Sequence, residues 1–238
     1  MTAPPEVDNQ AILYSNRGRW DTDEVPCGLR FITPDRVVSA CALAQRGRLV
    51  ACTLPTSLGA PPSATTRLQA AASLDAPIAA RGVLLDVARC AHRAWLADGT
   101  EICASDLDEC AERQGVTIES GDVLLVRTGM LSGCASLSDW RTYREGPAPG
   151  LARDCARWLY EREAAVVATD TPWVEVHRPD QPAGALCRVS LHHTGVVFGE
   201  SFYLEALSEA CAADGNYAFL FVCAAPDASG AARPFAVK

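Results

Sequence analysis

Two adjacent imidazoles with a carboxylate further on, His192-His193 and Glu200, are groups able to pass protons near neutral pH. Unperturbed histidine titrates there, a neighbouring carboxylate raises its proton affinity, and desolvation lowers it. His192 and Glu200 are separated by an even number of positions and would share one face of an extended chain; Gly195 and Gly199 lie between them. A second set is Asp170-Thr-Pro-Trp173-Val-Glu175-Val-His177, which gathers two carboxylates, an aromatic ring and an imidazole after an apolar run. Loops at such places carry function in α/β proteins. Arg127 and Thr128 end another apolar run and suit a carboxylate or carbonyl ligand, or equally an ion pair and a strand cap. Trp20, Trp140, Tyr143 and Trp173 offer aromatic walls for a pocket, or packing alone. Asp86, inside an apolar run, reads as a satisfied buried carboxylate, and His92 as a solvated side chain.

The elements that must hold these groups alternate between helix and buried strand. Thr33-Pro34-Asp35 reads as an N-cap with proline at the first helical position, and helical spacing runs from Val37 to Gln45, with Gly47 as the stop. Strands are expected at Leu49–Leu54, Gly82–Val87, Gly121–Thr128, Ala164–Thr169 and, as the last, Tyr217–Cys223. Pro55–Thr66 reads as loop. Helices are expected from a capping box at Ser105–Asp108 to Gln114, over Leu151–Glu163, and over Phe202–Ala213, with Gly115 and Gly215 in left-handed positions at the ends of the first and last. The nearly continuous apolar runs suit strands buried on both faces, so the class is α/β with a mixed sheet.

Several segments in order resemble the "Putative cyclase" family, which includes kynurenine formamidases, isatin hydrolases and some aromatic polyketide cyclases. They are Arg81-Gly-Val-Leu-Leu-Asp-Val-Ala88, Gly121-Asp-Val-Leu-Leu-Val-Arg-Thr-Gly129, Gly146-Pro-Ala-Pro-Gly-Leu151, Leu191-His-His193 with Gly199-Glu200, and Ala212–Val222. Arg19-Trp-Asp-Thr-Asp-Glu-Val-Pro followed by Phe31-Ile-Thr-Pro34 resembles the start of its longer bacterial branch. The resemblance implies a swivelling β/β/α fold with a flattened mixed β-barrel over a single domain, residues 1–238, assembled as a homodimer or larger homo-oligomer. It also implies that the segment after Ala164–Thr169 lines the substrate pocket, and that a downstream His and Glu act as proton shuttle and metal ligand, the pattern that His192, His193 and Glu200 match in type.

The family's metal signature, H-x-G-T-H-x-D-x-P-x-H, has no counterpart here: residues 49–87 contain no histidine. Ser73-Leu-Asp-Ala-Pro-Ile-Ala79 retains Asp75 and Pro77 of that pattern, with Ser73 and Ala79 where imidazoles belong; alternatively the metal segment is deleted and these residues only lead into the next strand. Either way a normal divalent site lacks its donors. No metal ligand is assigned and no cofactor is expected. His192, His193, Glu200 and Glu175 are the expected catalytic groups, and Asp170, Trp173, Arg127, Thr128, His177 and Trp20 the expected substrate contacts.

Composition narrows the partners. Lys plus Arg is 21 against 29 Asp plus Glu, a net charge of -8, which supplies no basic face for nucleic acid. Hydrophobic residues make up 49%, enough for a sizeable core, and no apolar run spans a membrane. With no leader pattern at the N-terminus, a cytoplasmic location is expected. The eleven cysteines stand without C-x-x-C spacing and read mostly as small core residues rather than a zinc or disulfide framework. Three functions remain open: a metal-independent ring-forming or dehydrating enzyme of secondary metabolism, a metal-dependent amide or lactone hydrolase with a rebuilt site, and a non-catalytic ligand-binding protein.

Overall fold

The computed structural model describes residues 14–20, 27–61, 64–70, 76–180, 184, 186–187, 190–225, 227 and 231–238. Ser73 and Asp75 lie outside them, as does most of the Arg19–Pro26 segment. Ten strands are present among the described residues: β1 Leu49–Ala51, β2 Arg67–Gln69, β3 Ile78–Leu85, β4 Glu101–Ile102, β5 Val123–Val126, β6 Gly150–Leu151, β7 Val166–Thr169, β8 Val197–Glu200, β9 Ala218–Cys223 and β10 Pro234–Val237. Eight form one strongly curled sheet in the order β1-β10-β9-β3-β5-β7-β8-β2. Strands β3, β5, β7 and β8 run parallel, so their C-terminal ends share one edge, and β2 pairs antiparallel with β8. The curl brings the β2 end back toward the approach to β10: Arg67 bridges Ala231, and the Ala232 amide donates to the Thr66 carbonyl at 2.9 Å. This half-barrel in a mixed α/β chain is the fold expected from the resemblance.

The central strands are apolar because both their faces are covered. In β5, Leu124 and Val126 join one core cluster while Val123 and Leu125 join another, the period-two alternation of a pleated strand. The first core is closed by the helices Ala104–Gln114 and Cys155–Glu161, the second by Glu205–Asp214.

The expected elements appear with shifted ends. The first helix spans Pro34–Cys41 under the Thr33 cap and stops well before Gly47. The capping box lies two residues earlier than expected, with Asp106 accepting from the Cys103 amide at 2.7 Å. Gly115 and Gly215 take the left-handed positions, at φ +63° and +68°. β9 is not the last strand: β10 follows it and fills the sheet between β9 and β1. The short strands β2, β4 and β6 were not expected, since two or three residues are too few to show a period. No helix among the described residues is long and apolar enough to cross a membrane.

Candidate active site

A cavity of about 610 Å³ opens where β8 and β2 meet the segment after β7. Its floor comes from β8, where Phe198 and Glu200 stand two positions apart and line it together. Between them Gly199 is required by space, because a Cβ there would lie 2.4 Å from the Ala168 Cβ. Strand β2 sets Arg67 directly opposite Glu200 and Gln69 opposite Phe198, with Leu68 turned into the core. Gln69 Nε2 donates to Glu200 Oε2 at 3.1 Å. Among the described residues Glu200 has no ion pair within 4 Å. Burial pushes its carboxyl up to about 7, with the Arg67 charge opposing the rise.

The facing wall is the segment after β7. It is strapped by a ladder to residues 148–151: the Leu151 amide donates to the Val174 carbonyl at 2.9 Å, the Val176 amide to the Leu151 carbonyl at 3.1 Å, and Ala148 and His177 exchange both backbone bonds. Gly150 permits the approach, since a Cβ there would meet Glu175 backbone at 2.6 Å. This extended conformation brings Trp173, Glu175 and His177 to the cavity together. The His177 ring stacks on Trp173 at 3.9 Å between centroids and 22° between planes. Its Nδ1 is buried and has no hydrogen-bond partner among the described residues. Glu175 Oε2 accepts from the Cys187 amide at 3.4 Å.

Tyr143 and Ser201 complete the inner end. Ser201 has φ +56°, a left-handed conformation that costs a non-glycine residue energy. Three contacts hold it there: its amide donates to the Thr171 carbonyl at 2.9 Å, its carbonyl accepts from Thr66 Oγ1 at 2.8 Å, and its hydroxyl lies 3.0 Å from the Tyr143 hydroxyl.

The other expected site residues stand elsewhere. Asp170 is fully buried, and its two oxygens accept from the Thr128 amide and hydroxyl at 2.8 and 2.7 Å and from the Gly129 amide at 2.6 Å. It ties the end of β7 to the end of β5; burial raises it to about 6, opposed by the Thr128 bonds and the Arg127 charge. Arg127 bonds Asp86 Oδ1 at 2.8 Å, takes Glu205 bidentately at 3.0 and 2.8 Å, and donates to the Ala94 carbonyl. Asp86 also accepts from Arg89 and from the Ser208 hydroxyl. Trp20 packs edge-on against Phe31, outside the cavity lining.

His192 and His193 do not line the cavity either. The shared face with Glu200 required an extended segment, but Ser190–Thr194 forms a helical turn and Gly195 follows at φ +77°, so the strand begins only at Val197. His192 is exposed. His193 is half-buried, which lowers its proton affinity together with the Arg17 and His192 charges. Cavity residues that the sequence did not mark as site candidates include Arg67, Gln69, Arg144, Cys187, Phe198 and Ser201. Only the polar–apolar–polar step Arg67-Leu68-Gln69 carried a signal, and three residues do not establish a strand.

Whether a divalent ion fits can be judged from the donors. Among the described residues no group of three His, Cys, Asp or Glu side chains is placed to hold a metal ion. The cavity carries Glu175, His177, Cys187 and Glu200, yet they do not converge as such a set. These residues do not fit the family's ion.

Residues 44–176 match the Putative cyclase family, more than half of the chain, and the chain belongs to that family. No curated protein matches it significantly. Among solved structures, one described as a novel cyclase superposes with a TM-score of 0.81 at 23% identity, covering 96% of this chain and 99% of that one. Isatin hydrolase A from Ralstonia solanacearum gives 0.56 at 16% identity, covering 86% of this chain and 97% of the other. Isatin hydrolase A from Labrenzia aggregata, bound to benzyl benzoate, gives 0.54 at 16%, covering 85% and 97%. At these identities the likeness is one of fold.

Proposed function

We propose that this chain is a small-molecule enzyme that uses Glu200 as its acid–base group and works without a metal ion, in a ring-forming or dehydrating step of secondary metabolism. The observation that carries the reading is the cavity itself. It sets a half-buried carboxyl that accepts from Gln69 in the same space as an imidazole whose Nδ1 has no partner among the described residues. A carboxyl titrating near neutral pH serves as acid and base alike, which supports the assignment. In a dehydration, Glu200 would protonate the departing hydroxyl while the His177 imidazole takes the proton from the neighbouring carbon. In a ring closure, the same pair would enolise one carbonyl and protonate the other.

The substrate class follows from the walls. The stacked Trp173 and His177 rings give a flat aromatic surface, Arg67 and Arg144 border the cavity with cations, and its volume suits one small molecule. An aryl ketone or β-hydroxy carbonyl compound fits that combination. Family membership, with its polyketide cyclases, supports ring formation and secondary metabolism.

The test is turnover of a panel of aryl β-diketo and β-hydroxy carbonyl compounds in buffer containing a metal chelator. Product formation by the wild type, with kcat lowered about 10²–10⁴-fold in Glu200→Gln, is the expected result. Turnover that requires added zinc or manganese would overturn the reading, and metal-dependent opening of isatin would replace it with that of a hydrolase. Full activity in Glu200→Gln would remove Glu200 from the chemistry.

A further inference from the structure

Away from the Glu200 cavity, a smaller one of about 240 Å³ is lined in part by Cys90, Glu101, Asp106, Glu109, Cys110 and Arg113. Cys90 closes the four-residue helix Val87–Cys90 that follows β3, and Cys110 lies inside the helix Ala104–Gln114. Their sulfurs are 3.2 Å apart, closer than two sulfurs in van der Waals contact. A disulfide needs about 2.05 Å, so closure asks for roughly 1 Å of approach. Two bonds hold the pair in register. Gln114 Oε1 accepts from the Asp86 amide at 2.8 Å, tying the longer helix to the end of β3, and Arg113 Nη1 donates to the Cys90 carbonyl at 2.8 Å. Both line the cavity, Cys90 half-buried and Cys110 buried.

We propose that Cys90 and Cys110 form a reactive dithiol that exchanges with small aliphatic disulfides of neutral or positive charge, Cys90 attacking and Cys110 resolving. The environment divides the two roles. The hydrogen bond between the two sulfurs, with the Arg113 charge, holds Cys90 below the ordinary thiol value against burial and the Asp86 and Glu109 charges. The same bond, with burial, drives Cys110 far above it. Cys90 is also the less buried of the two sulfurs, which suits it to the first attack.

In the first step the Cys90 thiolate bonds to one sulfur of R–S–S–R; the old S–S bond breaks and R–S⁻ leaves. The negative charge on Cys90 is then gone, and with it a main obstacle to ionising Cys110. In the second step the Cys110 proton passes to the departed R–S⁻, and the Cys110 sulfur bonds to Cys90 Sγ, expelling the other R–S⁻. Overall two electrons pass from the two thiols to the disulfide, and two R–SH form once the second leaving thiolate takes a proton from solvent. The charge preference follows from the wall, where Glu101, Asp106 and Glu109 outnumber Arg113 and the Arg178 that pairs with Glu101.

The experiment treats reduced full-length protein with cystamine, a cationic disulfide, or with anionic oxidised glutathione. Remaining thiols are alkylated and the tryptic peptides read by mass spectrometry. Peptide 90–93 should appear joined to peptide 94–113, with fragmentation placing the link on Cys110 rather than Cys103, and cystamine should react several-fold faster. Cys110→Ser should stop at the mixed disulfide on Cys90, and Cys90→Ser should leave Cys110 unmodified. Because Cys110 lies in the core, Cys110→Ala supplies the same trap if the serine variant fails to fold, and Cys90→Ser at its half-buried site tests the attack separately. The proposal is overturned if both thiols are recovered alkylated while exposed Cys41 reacts, if glutathione disulfide reacts faster, or if Cys110 is modified in Cys90→Ser.

Discussion

Asp86 follows β3 and Glu200 ends β8, so these two carboxyl groups stand at the same edge of one sheet, yet their surroundings differ completely. Asp86 is fully buried and meets Arg127, Arg89 and Ser208 at once, while Arg127 also clasps Glu205. Glu200 is half-buried, accepts from Gln69, and faces a cavity with no cation within ion-pair distance among the described residues. A buried carboxylate with every lone pair engaged fastens elements together and has nothing left for a substrate. One that is desolvated without a bonded cation keeps its proton near neutrality and stays available. Asp170 belongs with the first kind despite its place beside the cavity loop, because backbone amides of 128 and 129 occupy it.

The sharpest break of this contrast is at Arg127. Arg127→Met leaves Asp86 with Arg89 and Ser208 alone and takes the guanidinium from Glu205, and should cost about 3–5 kcal/mol in denaturant unfolding, as removal of one partner from a buried ion pair does. A loss below about 1 kcal/mol would mean that the cluster is not a fastener. Asp170→Ala comes next: it leaves the Thr128 and Gly129 amides without acceptors, at about 1–3 kcal/mol each, read by the same method.

Glu200→Gln should behave the opposite way. Folding raises the Glu200 value from 4.5 to about 7, so the folded state binds this proton more tightly than the unfolded chain does. The wild type therefore loses stability from this group as pH climbs from about 4.5 to 7, and the glutamine variant does not. Melting curves should show Glu200→Gln ahead of wild type at pH 8 and level with it at pH 4. An advantage at acid pH instead would contradict the environment described for Glu200. The smallest effects belong to His192→Ala and His193→Ala, expected to stay within about 0.5 kcal/mol of wild type and to keep full turnover. A tenfold loss in either would return the histidine pair to the chemistry.

Much of the frame was legible because it rests on local rules. The runs around Val83–Leu85 and Val123–Val126 are apolar on both faces, which only strands covered on both sides require, and Gly115 and Gly215 mark helix ends through their left-handed φ. Trp173, Glu175 and His177 could be marked from their place after a buried run, and the structure brings all three to one cavity. Arg67, Gln69 and Ser201 escaped notice because short strands have no period and because strain at φ +56° leaves no trace in residue type. The convergence of His192 and Glu200 rested on an extended segment, and the turn at Ser190–Thr194 removes that geometry.

The sequence by itself determined the alternation of helix and buried strand, the family, and the absence of histidine between residues 49 and 87, since each is a property of residue type and order along the chain. Only the tertiary structure decided which polar residues were satisfied and which were left facing a cavity. Arg127 and Asp170 look as reactive as Glu200 when written in a line. Their partners Asp86, Glu205 and the amides of 128 and 129 arrive from parts of the chain distant in sequence, and it is that three-dimensional count of donors and acceptors that engages two of them and leaves the third facing a cavity.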